Sequence, residues 1–61
     1  MSFPALILMK KNVEIATGGI MEKNHIYKVY VIEERLQFLS CIYNRKRKII
    51  WTEEYEMIKK G

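Results

Sequence analysis

The sequence has no aspartate, and it has one cysteine, one histidine and one proline. All seven acidic residues are glutamates, four of them in the adjacent pairs Glu33-Glu34 and Glu53-Glu54. Adjacent residues of a strand point to opposite faces, so neither pair forms the two-carboxylate site that acid–base catalysis needs. The sequence also has no phosphate-binding glycine loop and no paired-cysteine motif. We therefore predict a protein that is not an enzyme and has no catalytic residues.

The single cysteine and the single histidine exclude two further kinds of site. Cys41 has no second cysteine with which to form a disulfide within the chain. Together with His25 it would supply only two of the four ligands that a structural zinc ion takes. Cys41 lies in an apolar run, residues 38–43, where a thiol behaves as a small buried hydrophobic group. We predict no metal site and no cofactor.

The chain length and the apolar content favour one small folded domain. Its 61 residues provide a single core, and 49% of them are hydrophobic, too many for a disordered chain. The first apolar run, residues 5–9, ends at Lys10, far short of the roughly 20 residues that span a bilayer. No basic residue precedes this run, as one would in a signal peptide. We predict one domain over residues 1–61, no membrane association and a cytoplasmic location.

Strand signals outweigh helical signals along the chain. The N-terminal apolar run predicts a buried first strand. Residues 26–32 and 36–43 are rich in β-branched and aromatic side chains, as strands are. Residues 13–16 alternate apolar and polar side chains before Thr17-Gly18-Gly19, the strongest internal turn signal, where glycine accepts a positive φ at little cost. The segment between the first strand and residue 26 is therefore a long loop with a partial strand.

The last third of the sequence predicts a hairpin and then a short turn. A polar tip at residues 44–47 follows the run 36–43, and strand character resumes after it. The first residue of this tip is an asparagine, which tolerates the left-handed conformation of a tight turn. Few residues follow Trp51, so an isolated helix there would be weak. We predict one helical turn at residues 52–55 and a final strand at 56–59, with a C-terminal helix as the alternative.

This order of strands predicts an all-β fold that closes into a five-stranded barrel, because closure removes the exposed edges of a small sheet. In such a barrel roughly one face of each strand points inward. Alternation assigns these residues to the core: Tyr27, Val29, Val31, Leu36, Phe38, Ile42, Ile49 and Trp51. The residues at the other alternate positions are also apolar and are expected to lie partly outside the core: Ile26, Tyr30, Ile32, Leu39, Cys41, Tyr43 and Ile50.

The residues Tyr27-Lys28-Val29 begin one strand, Trp51 ends another, and residues 52–55 lead into the last. This spacing, over about residues 20–59, resembles small bacterial and phage SH3-like domains. The resemblance implies an SH3-like barrel with a single helical turn and a phage or mobile-element origin. Lys23-Asn24 replaces the glycine usual before the Tyr-x-Val strand. The acidic loop and the proline that hold PxxP peptides in eukaryotic SH3 domains have no counterpart, so recognition of that kind is not implied.

The net charge of +4 comes from one block, Arg45-Lys46-Arg47-Lys48. The chain has eleven basic residues, and the seven outside this block balance the seven glutamates. The block has three interpretations. It is a solvated tip that keeps a small sheet soluble, a set of phosphate contacts giving weak, salt-dependent nucleic-acid binding, or a docking site for an acidic protein.

Apolar residues left outside a core often mark an interface. We predict a non-catalytic binding module that docks on a protein partner, with weak nucleic-acid binding through residues 45–48 as the alternative. The candidate interaction residues are Tyr30, Ile32, Tyr43, Arg45, Lys46, Arg47, Lys48 and Trp51. The outer apolar surface also predicts a two-fold homodimer. The competing expectation is that residues 3–9 or the loop 10–24 cover that surface within one chain.

Overall fold

The computed structural model of the protein describes residues 2–15 and 19–61. Within these residues the chain forms strands and one 3₁₀ turn, which confirms the predicted all-β fold. The strands are β1 (Phe3–Met9), β2 (Val13–Glu14), β3 (Ile20–Met21), β4 (Ile26–Glu34), β5 (Phe38–Tyr43), β6 (Lys46–Trp51) and β7 (Tyr55–Lys60). The 3₁₀ turn spans Thr52–Glu54, so the single helical turn is confirmed and the alternative of a C-terminal helix is wrong.

Five of the strands form one antiparallel sheet in the order β6-β5-β4-β1-β7. The N-terminal apolar run is an inner strand of this sheet, paired with β4 on one side and β7 on the other. Residues 3–9 therefore do not fold across the outer surface, and that alternative is wrong. β6 and β7 stand at the two ends of the strand order, and closure into a barrel stays a prediction.

The described residues between β1 and β4 lie over one face of the sheet. Within it β2 and β3 pair as a two-stranded ribbon, and Val13, Ile15 and Met21 are buried in the core. The predicted turn residues Thr17 and Gly18 lie outside the described residues. The core contains the following residues: Ala5, Ile7, Met9, Val13, Ile15, Met21, Val29, Val31, Leu39, Cys41, Ile50 and Tyr55. The described residues of the loop 10–24 thus cover the inner face of the sheet, and not the outer apolar surface.

The prediction of which alternate residues face the core is correct for β4 and wrong for β5 and β6. Leu39 and Ile50 are fully buried, whereas Leu36 is 96% exposed and Trp51 is 52% exposed. The cause lies in the pairing of β4 with β5, where the register shifts at a bulge between Val31 and Glu33. Ile49 is likewise about half exposed, and Phe38 and Ile42 are half-buried. The sequence could not place this bulge, because both parities of residues 36–43 are apolar.

The hairpin between β5 and β6 turns more tightly than predicted. Only Asn44 and Arg45 form the turn, and Tyr43 pairs directly with Lys46. Both turn residues have positive φ, 53° and 66°, as a two-residue hairpin turn of the primed type requires. The prediction that Asn44 adopts this conformation is confirmed. The prediction of a polar tip over residues 44–47 is wrong, because Lys46 and Arg47 belong to β6.

Replacing Arg45 by glycine should stabilise the protein by about 0.5–1 kcal/mol. An arginine at φ 66° has a steric strain that glycine does not have. The free energy gained by removing this strain exceeds the entropic cost of fixing the more flexible glycine on folding. Urea unfolding of the two proteins measures the difference. The matched control is Lys46→Gly, a position in strand β6 where glycine should destabilise instead. A loss of stability in Arg45→Gly would contradict the assigned turn.

Candidate interaction face

The five-stranded sheet has a second side, opposite the core, which we call the outer face. Its centre is Tyr30 of β4, which lies between Ile42 of β5 and Pro4 of β1 in the strand register. Arg47 of β6 pairs with Ile42 and extends this row to the sheet edge. The outer face consists of Pro4, Leu6, Leu8, Ile26, Lys28, Tyr30, Glu33, Phe38, Ser40, Ile42, Arg47, Ile49, Trp51, Glu56, Ile58 and Lys59.

Large apolar side chains on the outer face are open to solvent. Five of them are between 45% and 57% exposed: Ile26, Tyr30, Ile49, Trp51 and Ile58. Leu6 and Leu8 are half-buried between them. The ring of Phe38 meets that of Trp51 edge to face, with the two centroids 6.1 Å apart. The prediction that Ile26 and Tyr30 point away from the core is therefore confirmed, and the apolar surface extends across the sheet.

Cations flank this apolar surface. The Lys28 ammonium lies 5.8 Å from the centroid of the Tyr30 ring, within the range of a cation–π contact. Lys28 and Lys59 both stand beside Leu6 in the strand pairing. They border a depression of about 290 Å³, lined by Pro4, Ala5, Leu6, Lys28, Lys59 and Gly61. The outer face thus carries Lys28, Lys59 and Arg47 against two acids, Glu56 and Glu33. The Glu33 carboxylate is already paired with Arg35, so the cations are in excess.

The basic block lies along β6 and its turn. Arg45 is in the turn, and Arg47 is on the outer face opposite Ile42. Lys46 and Lys48 have the other parity, opposite Tyr43 and Cys41. Three of the four cations therefore lie along the edge strand, on both of its faces, and only Arg45 lies in the turn.

Two further candidate residues lie away from the centre of the outer face. The Tyr43 ring packs against the edge of the core through Tyr27, with the ring centroids 5.4 Å apart and nearly perpendicular. The Tyr27 hydroxyl in turn accepts a hydrogen bond of 2.7 Å from the Glu22 amide. Ile32 is half-buried at the bulge of β4. Of the predicted aromatic candidates, Tyr30 and Trp51 are thus the ones on the outer face.

The polar contacts near Trp51 hold the end of β6 in place. Its amide donates to the Glu54 carboxylate at 3.0 Å, across the 3₁₀ turn. The Thr52 hydroxyl donates to the Leu36 carbonyl at 2.8 Å, and the Thr52 amide donates to the Gln37 carbonyl at 3.0 Å. These bonds tie the 3₁₀ turn to the β4–β5 connection. They leave the Leu36 side chain in solvent.

Burial determines the protonation state of the Cys41 thiol. Cys41 is fully buried, which confirms its expected role as a small hydrophobic group. Its assignment to the parity that lies partly outside the core is wrong, as it is for Leu39 and Ile50. Loss of solvent raises the pKa of its thiol to about 11, and the nearby Lys48 opposes this only in part. Burial likewise raises the pKa of Tyr55, with Glu34 adding to the effect. The Cys41 thiol is therefore protonated at neutral pH and is a poor nucleophile.

These pKa values predict a loss of stability in alkali. The unfolded chain releases the thiol proton near pH 9, whereas the folded protein holds it to about 11. The free energy of unfolding should therefore fall as pH rises through this window. Urea unfolding at about pH 8 and about pH 10.5 measures the fall. Cys41→Ala should show a smaller fall, and an identical pH dependence in both proteins would contradict the assignment to Cys41.

Other site chemistries have no support in the described part of the chain. No three histidine, cysteine or acidic side chains converge there as a metal site would require. The described residues also contain no helix with the length and apolar character needed to cross a membrane. Comparison with protein-family models, curated proteins and solved structures finds no match.

Proposed function

We propose that the protein is a non-catalytic binding module that docks on a protein partner through its outer face. The observation that carries this proposal is the exposed apolar surface around Tyr30, where the side chains of four neighbouring strands meet. Exposed apolar patches on soluble proteins are characteristic of interaction sites. Tyrosine and tryptophan, both present on this face, are also the residues that contribute most to protein interfaces.

The charges around the patch define the chemistry of the partner. Lys28, Lys59 and Arg47 outnumber the two acids on the outer face, so a complementary surface has an apolar centre and an acidic rim. The depression beside Leu6 accommodates an apolar side chain, with the two lysine ammonium groups placed to meet a neighbouring carboxylate. The specificity of docking follows from this arrangement of charges around the apolar contact.

A charge-reversal pair tests the proposal. The immobilised protein is incubated with nuclease-treated lysate of the cells that produce it, and retained polypeptides are compared between variants. We expect a polypeptide retained by the original protein to be lost with Lys28→Glu/Lys59→Glu. It should remain with Lys10→Glu/Lys23→Glu, which makes the same change in net charge at exposed positions off the outer face. Equal retention by both double variants would contradict the proposal.

Nucleic-acid binding through Arg45–Lys48 is the rival function. The structure favours it in one respect, because the ion pairs among the described residues leave all four cations unneutralised. Anisotropy titrations of labelled oligonucleotides at about 50 and about 200 mM salt test it. Affinity that falls steeply with salt and disappears in Arg45→Ala/Arg47→Ala would favour the rival. Absence of binding at low salt would remove it.

A second copy of the chain is another occupant for the same face. Its association would bury the apolar residues around Tyr30 and stabilise a small domain at about 25 cal/mol per Å² of apolar area. The net charge of +4 on each copy opposes this association. The homodimer and the phage or mobile-element origin implied by the SH3-like resemblance both stay predictions.

A further inference from the structure

Strand β6 has one backbone edge without a strand partner among the described residues. It follows a two-residue turn, so Lys46, Lys48 and Ile50 direct their backbone N–H and C=O groups towards β5. The alternate residues Arg47, Ile49 and Trp51 direct theirs away from the sheet. The Trp51 amide is already bonded to the Glu54 carboxylate.

Arg47 and Ile49 consequently present two donors and two acceptors along an accessible edge. Both residues are exposed. This geometry is the one that strand addition uses, in which an extended peptide bonds to the free edge of a sheet. Natural proteins otherwise protect such an edge by a covering segment, a bulge or charge. In this protein charge is the device present, since Lys46, Arg47 and Lys48 lie along the edge.

The charge also selects what can pair there. Two antiparallel copies of β6 would bring lysines and arginines together, and like charges opposite one another destabilise a strand pair. The ion pairs in the described part of the chain involve Lys11, His25, Arg35 and Lys60, so no glutamate there is paired with residues 45–48. An incoming strand with carboxylates supplies the missing counter-charges.

We propose that the free edge of β6 accepts an extended acidic segment of a partner protein as an additional strand of the sheet. The added strand places carboxylates beside Lys46 and Lys48 on one side. On the other side it places apolar residues beside Ile49 and Trp51. Its backbone bonds with Arg47 and Ile49. Arg47, Ile49 and Trp51 also belong to the outer face, but strand addition needs the backbone edge of β6. Docking around Tyr30 needs side chains only, so separate experiments test the two.

A synthetic peptide of about ten residues, alternating glutamate and valine with blocked ends, is a suitable probe. The readout is amide hydrogen exchange of the full chain measured by NMR. At saturating peptide we expect exchange of the Arg47 and Ile49 amides to slow by about tenfold or more. Exchange along β7, the other end of the strand order, should not change.

Two controls separate strand addition from attraction between charges. The same peptide carrying N-methyl groups on the valine amides keeps its charge but cannot complete the backbone bonds, and it should not slow exchange. The variant Lys46→Glu/Lys48→Glu, with folding checked by circular dichroism, should weaken peptide binding by about tenfold or more.

Three results would overturn the inference. One is equal slowing of the two amides by the N-methylated peptide, and another is no slowing by the unmodified peptide at low salt. The third is equal slowing of the same amides by an oligothymidylate, which would assign the edge to nucleic acid instead. Slowing by the unmodified peptide alone supports strand addition, whatever the outcome of the tests on the outer face.

Discussion

Replacing Leu39 by alanine should lower the free energy of unfolding by about 3 kcal/mol. The same substitution at Leu36 should change it by less than about 0.5 kcal/mol. Leu39 is fully buried and pairs with Ile50, so its truncation leaves a cavity in the core. Leu36 is 96% exposed, and its truncation removes few contacts. Urea unfolding followed by circular dichroism measures both effects.

The comparison tests the register of β5 directly, because the two residues exchange roles if the register moves by one. A domain of this size has little stability to lose, so Leu39→Ala is expected to be substantially unfolded without a stabilising cosolvent. Leu39→Val serves as a milder variant that keeps the population folded. A large loss in Leu36→Ala together with a small loss in Leu39→Ala would contradict the structure and restore the parity predicted from sequence.

Tyr30→Glu should abolish association through the outer face while changing the stability of the fold by no more than about 1 kcal/mol. The Tyr30 side chain is 46% exposed and points away from the core, so a carboxylate there remains in water in the free protein. In a complex the same carboxylate would be buried in an apolar interface without a counter-charge. Removing a central aromatic residue from an interface typically costs 2 kcal/mol or more, about a thirtyfold loss of affinity.

Sedimentation equilibrium at micromolar and higher concentration measures the self-association of the original protein and of Tyr30→Glu. A dimer that disappears in Tyr30→Glu but persists in Tyr30→Phe would assign the outer face to a second copy. A monomeric mass for all three proteins would end the homodimer prediction and leave a different protein as the occupant. Loss of the β-sheet circular dichroism signal in Tyr30→Glu would show that Tyr30 belongs to the core.

The strands themselves could be predicted because their local signals are strong. Residues 26–32 carry β-branched or aromatic side chains at every position except Lys28. The first apolar run is long enough for one strand and too short for a membrane span. The bulge after Val31 could not be predicted, since it depends on how β4 and β5 pair rather than on either segment alone.

The candidate face was predictable only in part, for the same reason. Alternation along β4 predicts that Tyr30 points away from the core, and in the structure it does. Alternation alone predicts that Trp51 and Ile49 face the core. In the structure they pair with Phe38 and Ser40 on the outer face, because the bulge in β4 sets which side of β5 faces inward. The depression between Lys28 and Lys59 has no sequence signal, because these residues come together only through their separate pairing with β1.

Photo-crosslinking tests the central claim that the outer face docks a protein partner. A benzophenone amino acid replaces Tyr30, at the centre of the face, or Leu36, an apolar position away from it that is more exposed than Tyr30. The two variants are irradiated in the cells that produce the protein. The account predicts a discrete crosslinked polypeptide from position 30 and none from position 36. Equal adducts from both positions, or none from position 30, would contradict it.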